Sequence, residues 1–269
     1  MTSMKKNKVI LGLSGGVDST AAALILQENG YDVTGLYFDV TPEAVREGTG
    51  RKQAEQAAKQ LGVDLIYRDV SRDFEEIVIG NFRDEYARAR TPNPCIVCNP
   101  LIKFRTLLEA ADSAGAYHIA TGHYAGTFRD DETGTWYIKK AVNARKDQSY
   151  MLYRLGQEAI SRLLLPLSNV EDKEQVREMA RARALENSEA RDSQEICFIP
   201  EGDDYKEFLR RRAEAARRGF RRQGRQCAGP ARRYTGFYHR TAEGAGDSAG
   251  KTGLRHGHRQ RKRRGGAGR

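Results

Sequence analysis

Two groups of residues carry the chemistry open to this chain of 269 residues. The first is Ser14-Gly15-Gly16-Val17-Asp18-Ser19-Thr20, which follows the apolar run Val9-Ile10-Leu11-Gly12-Leu13 and opens onto Ala21-Ala22-Ala23-Leu24-Ile25-Leu26. Buried strand, tight loop and helix in that order make an anion site. The glycines let backbone N–H groups close on an oxyanion, Ser14, Ser19 and Thr20 add hydroxyls, and the helix aims its positive end at the ligand. Phosphate is the natural guest. The loop lacks the Gly-Lys-Ser/Thr ending of a Walker loop, so the phosphates need another source of positive charge.

The second group is the thiols. Cys95 and Cys98 form a Cys-x-x-Cys within Thr91-Pro92-Asn93-Pro94-Cys95-Ile96-Val97-Cys98-Asn99, and Cys197 stands in Ser193-Gln194-Glu195-Ile196-Cys197-Phe198-Ile199. Four cysteines in a chain without a signal peptide argue against a disulfide framework and for reactive or metal-binding thiols. A buried structural cysteine is the plainer reading of Cys197.

The elements that must position these residues alternate. Strands are expected at Val33–Phe38, Val63–Tyr67 and Tyr117–Ala120, and helices at about Thr49–Leu61, Arg72–Ala89 and Pro100–Ala114. This pattern predicts an α/β fold, a doubly wound parallel sheet with ligands at the carboxyl ends of its strands. Phe128 to Lys139 reads as a hairpin turning at Glu132-Thr133-Gly134-Thr135. Tyr150 to Leu165 reads as mostly helical, and Glu171 to Ala184 as an amphipathic helix. A catalytic domain over 1–165, a small helical subdomain over 166–209 carrying Cys197, and a tail over 210–269 follow from this pattern. No run is long and apolar enough for a membrane span, which places the protein in the cytoplasm.

Five blocks, Ser14–Ser19, Thr91–Asn99, Ala120–Tyr124, Lys146–Tyr150 and Asp192–Ile199, resemble in order the bacterial tRNA-specific 2-thiouridylases of the PP-loop ATP pyrophosphatase group. The resemblance covers about residues 7 to 209. It implies that ATP adenylates the C2 oxygen of a tRNA wobble uridine and that a cysteine persulfide, best carried on a low-pKa thiol, then delivers sulfur. Cys197 would carry the persulfide and Cys98 would attack it, leaving a disulfide. Gly12, Leu13, Ser14, Gly15, Gly16, Val17, Asp18, Ser19, Phe38 and Gly122 would bind ATP, with His123 and Tyr124 lining the nucleotide and Asp18 on magnesium. Lys146, Asp147, Gln148 and Ser149 would face the tRNA. A sulfur carrier or cysteine desulfurase would supply the persulfide.

The chain departs from the family at three places. Cys95 stands where many members have an aspartate, which leaves the acid/base role unassigned and makes a 4Fe-4S cluster on Cys95, Cys98 and Cys197 an alternative to the persulfide. Gly126 stands where members often have arginine. From Arg210 onward the chain has 19 Lys+Arg against 3 Asp+Glu, leaving 27 against 33 before it, so the basic balance belongs to the tail. The family continues there with a β-rich segment and a β-barrel, whereas this composition predicts disorder. Codons able to encode Phe237–Gly244 read one nucleotide later as Ser-Thr-Ile-Gly-Gln-Arg-Lys-Gly, the family's next motif, and a frameshift near Arg210–Gly219 is the expectation. The Walker-like run Ala245–Thr252 has no strand before it. Rival readings are a PP-loop amidating ligase and a catalytically impaired tRNA-binding remnant.

Overall fold

The computed structural model describes residues 5–40, 49–187, 196–199 and 204–212. The chain divides into two units, Met1–Asp203 and Asp204–Arg269. In the first, β1 (Lys5–Gly12) leads into α1 (Val17–Glu28), β2 (Asp32–Asp39), α2 (Thr49–Leu61) and β3 (Leu65–Asp69). A helical run follows, from α3 (Ser71–Asp73) through a wide π turn, Phe74–Ile79, to α4 (Gly80–Ala87). Pro94 then starts α5 (Pro94–Cys98), where its missing N–H costs nothing. A second wide stretch, Asn99–Lys103, joins α5 to α6 (Phe104–Ala114), which is followed by β4 (Ala116–Ala120). The hairpin is β5 (Ala125–Arg129) with β6 (Trp136–Lys140), and α7 (Gln157–Arg162), β7 (Leu163–Leu164) and α8 (Lys173–Ala182) complete the unit.

The sheet order is β3-β2-β1-β4-β7, with every pair parallel. This is the expected doubly wound sheet. Because β1 has β2 on one side and β4 on the other, the connections diverge there and open a crevice beyond Gly12 and Ala120. Alternation along β1 sorts the core. Val9 and Leu11, with Leu13 beyond the strand, pack among α1, Ala57 and Leu61 of α2, and Val176 and Ala180 of α8. Ile10 faces the other side with Leu107, Ile119 and Ile160. Each such buried side chain contributes about 1.5–3 kcal/mol.

One expectation is corrected. Residues 150–165 are not mostly helical: after the short turn Ser149–Met151 and α7, Leu163 and Leu164 pair with Ile119 and Ala120 as a sheet edge. A short apolar run has no period that separates a buried strand from a helix, and the open edge of β4 decided it. Leu167, Val170, Val176 and Leu185 pack in the same cluster as α1.

In the second unit, residues 205–212 are helical, three residues into the stretch expected to be disordered. Glu207 pairs with Arg210, and the Arg212 guanidinium lies 4.8 Å from the Phe208 ring centre. The rest of the tail lies outside the described residues, together with 41–48 and 188–195. Among the described residues no helix is long and apolar enough to cross a membrane.

Candidate active site

The loop after β1 is built by small residues in tight quarters. Gly15 has φ +81°, and a Cβ there would sit 2.5 Å from the Gln53 backbone of α2. Only glycine fits both demands. The Ser19 hydroxyl donates to the Gly16 carbonyl at 2.9 Å, and the Thr20 hydroxyl to the same oxygen at 3.0 Å. The Ser14 N–H donates to Ser19 Oγ at 3.3 Å. Gly16 caps α1 without a side-chain bond, so the first-turn N–H groups face the crevice as an anion cradle. Phe38 closes one side, with its ring edge 3.2 Å from where a Gly12 Cβ would be.

The end of β4 forms the opposite wall. A Cβ on Gly122 would lie 2.9 Å from both the Asp18 carbonyl carbon and the Ser19 nitrogen, so the two walls touch only because residue 122 has no side chain. His123 holds Thr121 Oγ1 at 2.8 Å through Nδ1. Burial, reinforced by the Lys103 charge, drives its pKa down to about 3, so it is a neutral imidazole near pH 7.

Asp18 has both oxygens engaged. The Tyr124 hydroxyl donates to Oδ1 at 2.8 Å, and Lys173 Nζ on α8 lies 3.2 Å from Oδ2. Burial first, and then the Asp18 charge, raise the Tyr124 phenol. Burial lowers Lys173 against the opposing pull of Asp18. Asn187 braces the loop from below, its Nδ2 donating to the Gly15 carbonyl at 2.7 Å and to Thr20 Oγ1 at 2.8 Å.

The 146–149 segment is tied to the same wall. Gln148 exchanges two bonds with Tyr124: its backbone N–H donates to the Tyr124 carbonyl at 2.7 Å, and its Oε1 accepts from the Tyr124 N–H at 3.0 Å. Asp147 accepts from the Ala141 N–H at 2.8 Å and the Ser149 hydroxyl at 2.7 Å. Lys146 closes the turn by donating its N–H to the Asn143 carbonyl at 3.1 Å.

The thiols come together across the chain. Cys98 is buried at the end of α5, and the next residue, Asn99, donates Nδ2 to the Met151 carbonyl at 3.1 Å. Cys197 is exposed, and Phe198 beside it packs edge-on to Phe74 and Phe82 at 5.6 and 5.2 Å. That contact seats the Cys197 segment on the wide turn and α4.

Burial pushes the Cys98 thiol up to about 11, with Cys197 and Cys95 near enough to add to the rise and Lys103 opposing it. The protein around Cys197 raises its thiol too, again against Lys103. The low-pKa thiol expected from the sequence is therefore not the resting state: desolvation outweighs the lysine. Among the described residues no group of three or more His, Cys, Asp or Glu is arranged to hold a metal ion. The three cysteines thus form, among the described residues, no preformed cluster cradle.

Sequence reasoning did not single out Lys103, Lys173, Arg177 or Asn187. Lys103 lay five residues past Cys98, a spacing that the wide turn Asn99–Lys103 makes meaningful. Lys173 and Asn187 reach the loop from more than 150 residues away, and no local signal marks them or Arg177.

The fold is a parallel α/β sheet with an anion cradle at its switch point. The chain belongs to the tRNA methyl transferase HUP domain family, whose model matches residues 7–201. A tRNA-specific 2-thiouridylase of Thermoanaerobacter sp. is 43% identical over 220 residues, covering 78% of this chain and 60% of that protein. One of Syntrophomonas wolfei is 46% identical over 203 residues, covering 76% and 58%. The chain therefore spans about three fifths of the length of these curated relatives. A solved 4-thiouridine synthetase–RNA complex with bound ATP is 17% identical over 71% of this chain and 44% of that one, at a TM-score of 0.45, too loose a likeness to bear on function.

Proposed function

We propose that this chain carries the catalytic unit of an ATP-dependent tRNA 2-thiouridylase. The observation that carries this reading is that Cys197 acts on Cys98 and both feel the charge of Lys103, which also acts on His123 at the strand end. The relatives' name gives the substrate class: tRNA uridine.

The uridine O2 attacks the α phosphorus of ATP, the bond to the β-phosphate oxygen breaks, and pyrophosphate leaves into the cradle of Ser14–Ser19. Bound magnesium would neutralise charge on the leaving pyrophosphate, and Asp18, the carboxylate of the loop, would help hold it. The terminal sulfur of a persulfide on Cys197 attacks C2 and expels AMP. A Cys98 thiolate then attacks the Cys197 sulfur, freeing the C2 sulfur and leaving a Cys98–Cys197 disulfide, which an external thiol reduces. Lys103 supports both thiolates. His123, neutral, orients the strand end through Thr121. The persulfide comes from a sulfur carrier or cysteine desulfurase. No step passes through an iron–sulfur cluster.

The test is sulfur incorporation into tRNA beside pyrophosphate release. Cys98→Ser and Cys197→Ser should each abolish thiolation while ATP binding persists. Full turnover in both variants would instead favour an amidating ligase, and tRNA binding without pyrophosphate release would favour the RNA-binding remnant.

A further inference from the structure

Sulfur transfer as described uses two thiols, and a third stands beside them. Cys95 and Cys98 lie three residues apart in α5 and so share a face of that helix. α5 rests against the wide turn Phe74–Ile79, and Phe198, next to Cys197, is seated on Phe74 of the same turn. Both thiol blocks therefore have one support. Cys197 and Cys95 each raise the Cys98 thiol, and Cys95 raises Cys197. The three sulfurs thus lie within reach of one another's charge, and all three are free thiols.

Exposure changes from one thiol to the next: Cys98 is buried, Cys95 is half-buried and Cys197 is exposed. A disulfide between Cys98 and Cys197 therefore has one sulfur that a protein-sized external thiol cannot approach, and access limits exchange. Cys95 is tethered one helical turn from that sulfur. The structural alternative is that Cys95 is a small apolar filler on α5. That accounts for its partial burial, but not for its place beside both reacting thiols.

We infer that Cys95 is a resolving thiol, which takes Cys98 out of the Cys98–Cys197 disulfide before an external reductant acts. This rests on the sulfur-transfer reading of Cys98 and Cys197. The Cys95 thiol loses its proton and attacks Cys98 Sγ. A Cys95–Cys98 bond forms, the Cys98–Cys197 bond breaks, and Cys197 leaves with the electron pair and takes up a proton. The exchange involves no net oxidation or reduction. Cys197 is then open to the next sulfur while an external protein dithiol supplies two electrons and two protons to the Cys95–Cys98 bond. Forming that bond requires α5 to tighten towards a 3-10 turn, in which side chains three residues apart eclipse. α5 is only five residues long and starts at Pro94, so little helix resists the change.

The experiment oxidises the full chain, and its Cys95→Ser and Cys95→Ala variants, with a stoichiometric amount of diamide. Disulfides are trapped by alkylation at successive times and assigned by peptide mass spectrometry. The expected result is that Cys98–Cys197 forms and gives way to Cys95–Cys98, with Cys197 regaining its alkylation. In both variants Cys98–Cys197 should persist and Cys197 stay blocked. In steady-state tRNA thiolation at limiting protein dithiol, both variants should turn over about tenfold more slowly, and excess dithiothreitol should narrow the gap. Persistence of Cys98–Cys197 in the unsubstituted chain overturns the inference. So does Cys95–Cys98 forming with no Cys98–Cys197 before it, or unchanged turnover of the variants at limiting dithiol. Because the exchange is read without ATP or tRNA, a chain that completes it but puts no sulfur into tRNA would sink the thiouridylase reading and leave the exchange standing.

Discussion

Cys98 shows how a single residue's surroundings set its chemistry. Its thiol is pushed up to about 11 by burial, so iodoacetamide alkylation should rise about tenfold per pH unit above pH 7, with no plateau below about pH 10. A plateau near pH 8 would refute the burial argument. Lys103 pulls the other way, and Lys103→Met should slow alkylation of both Cys98 and Cys197 at pH 8. The same shift carries a stability consequence. The folded state holds the Cys98 proton more tightly than the unfolded chain, so stability falls as pH rises from about 9 towards 11, and Cys98→Ser should lose that slope. His123 has the opposite sign. Its pKa is depressed to about 3, so stability present above about pH 6.5 is lost as pH falls towards 3. His123→Gln should show a shallower acid slope in denaturant midpoints.

At the scale of elements, function depends on two contacts that hold separate segments together. The first is the approach of Gly122 to the start of α1. Gly122→Ala places a Cβ 2.9 Å from the Asp18 backbone and should weaken ATP binding by about tenfold or more, because loop and strand end must separate. Unchanged ATP affinity would show that the walls part without consequence. The second is the seat of Phe198 on Phe74 and Phe82. Aromatic pairs of this kind contribute about 0.5–1.5 kcal/mol each beyond their buried area. Phe82→Leu should therefore loosen the Cys197 segment, seen as faster alkylation of Cys197 while Cys98 changes little. Equal acceleration of both would mean that the whole core had loosened instead.

At the scale of the molecule, α8 shares one core with α1 although about 150 residues separate them. A chain ended after Leu165 would expose that apolar face of α1, and it should lose cooperative thermal unfolding and bind a hydrophobic dye. A sharp transition near the intact chain's would show a self-sufficient 1–165 domain. Much of this architecture was legible without coordinates. The alternation of apolar runs and amphipathic helices is local, so β1, β2, α2 and the hairpin could be read from period and turn chemistry, and the glycine-paired loop announced its anion. Leu163-Leu164 could not be assigned, because a short apolar run takes its conformation from the strand edge it meets. The site divides in the same way. By itself the sequence determined which residue types carry chemistry: the loop glycines and hydroxyls, and the two cysteine blocks. Only the tertiary structure decided that Lys173 and Asn187 reach the loop, that Lys103 acts on both thiols and on His123, and that burial raises Cys98. Charge pairing and desolvation depend on distances between segments remote in sequence, and no local pattern of residues encodes those distances.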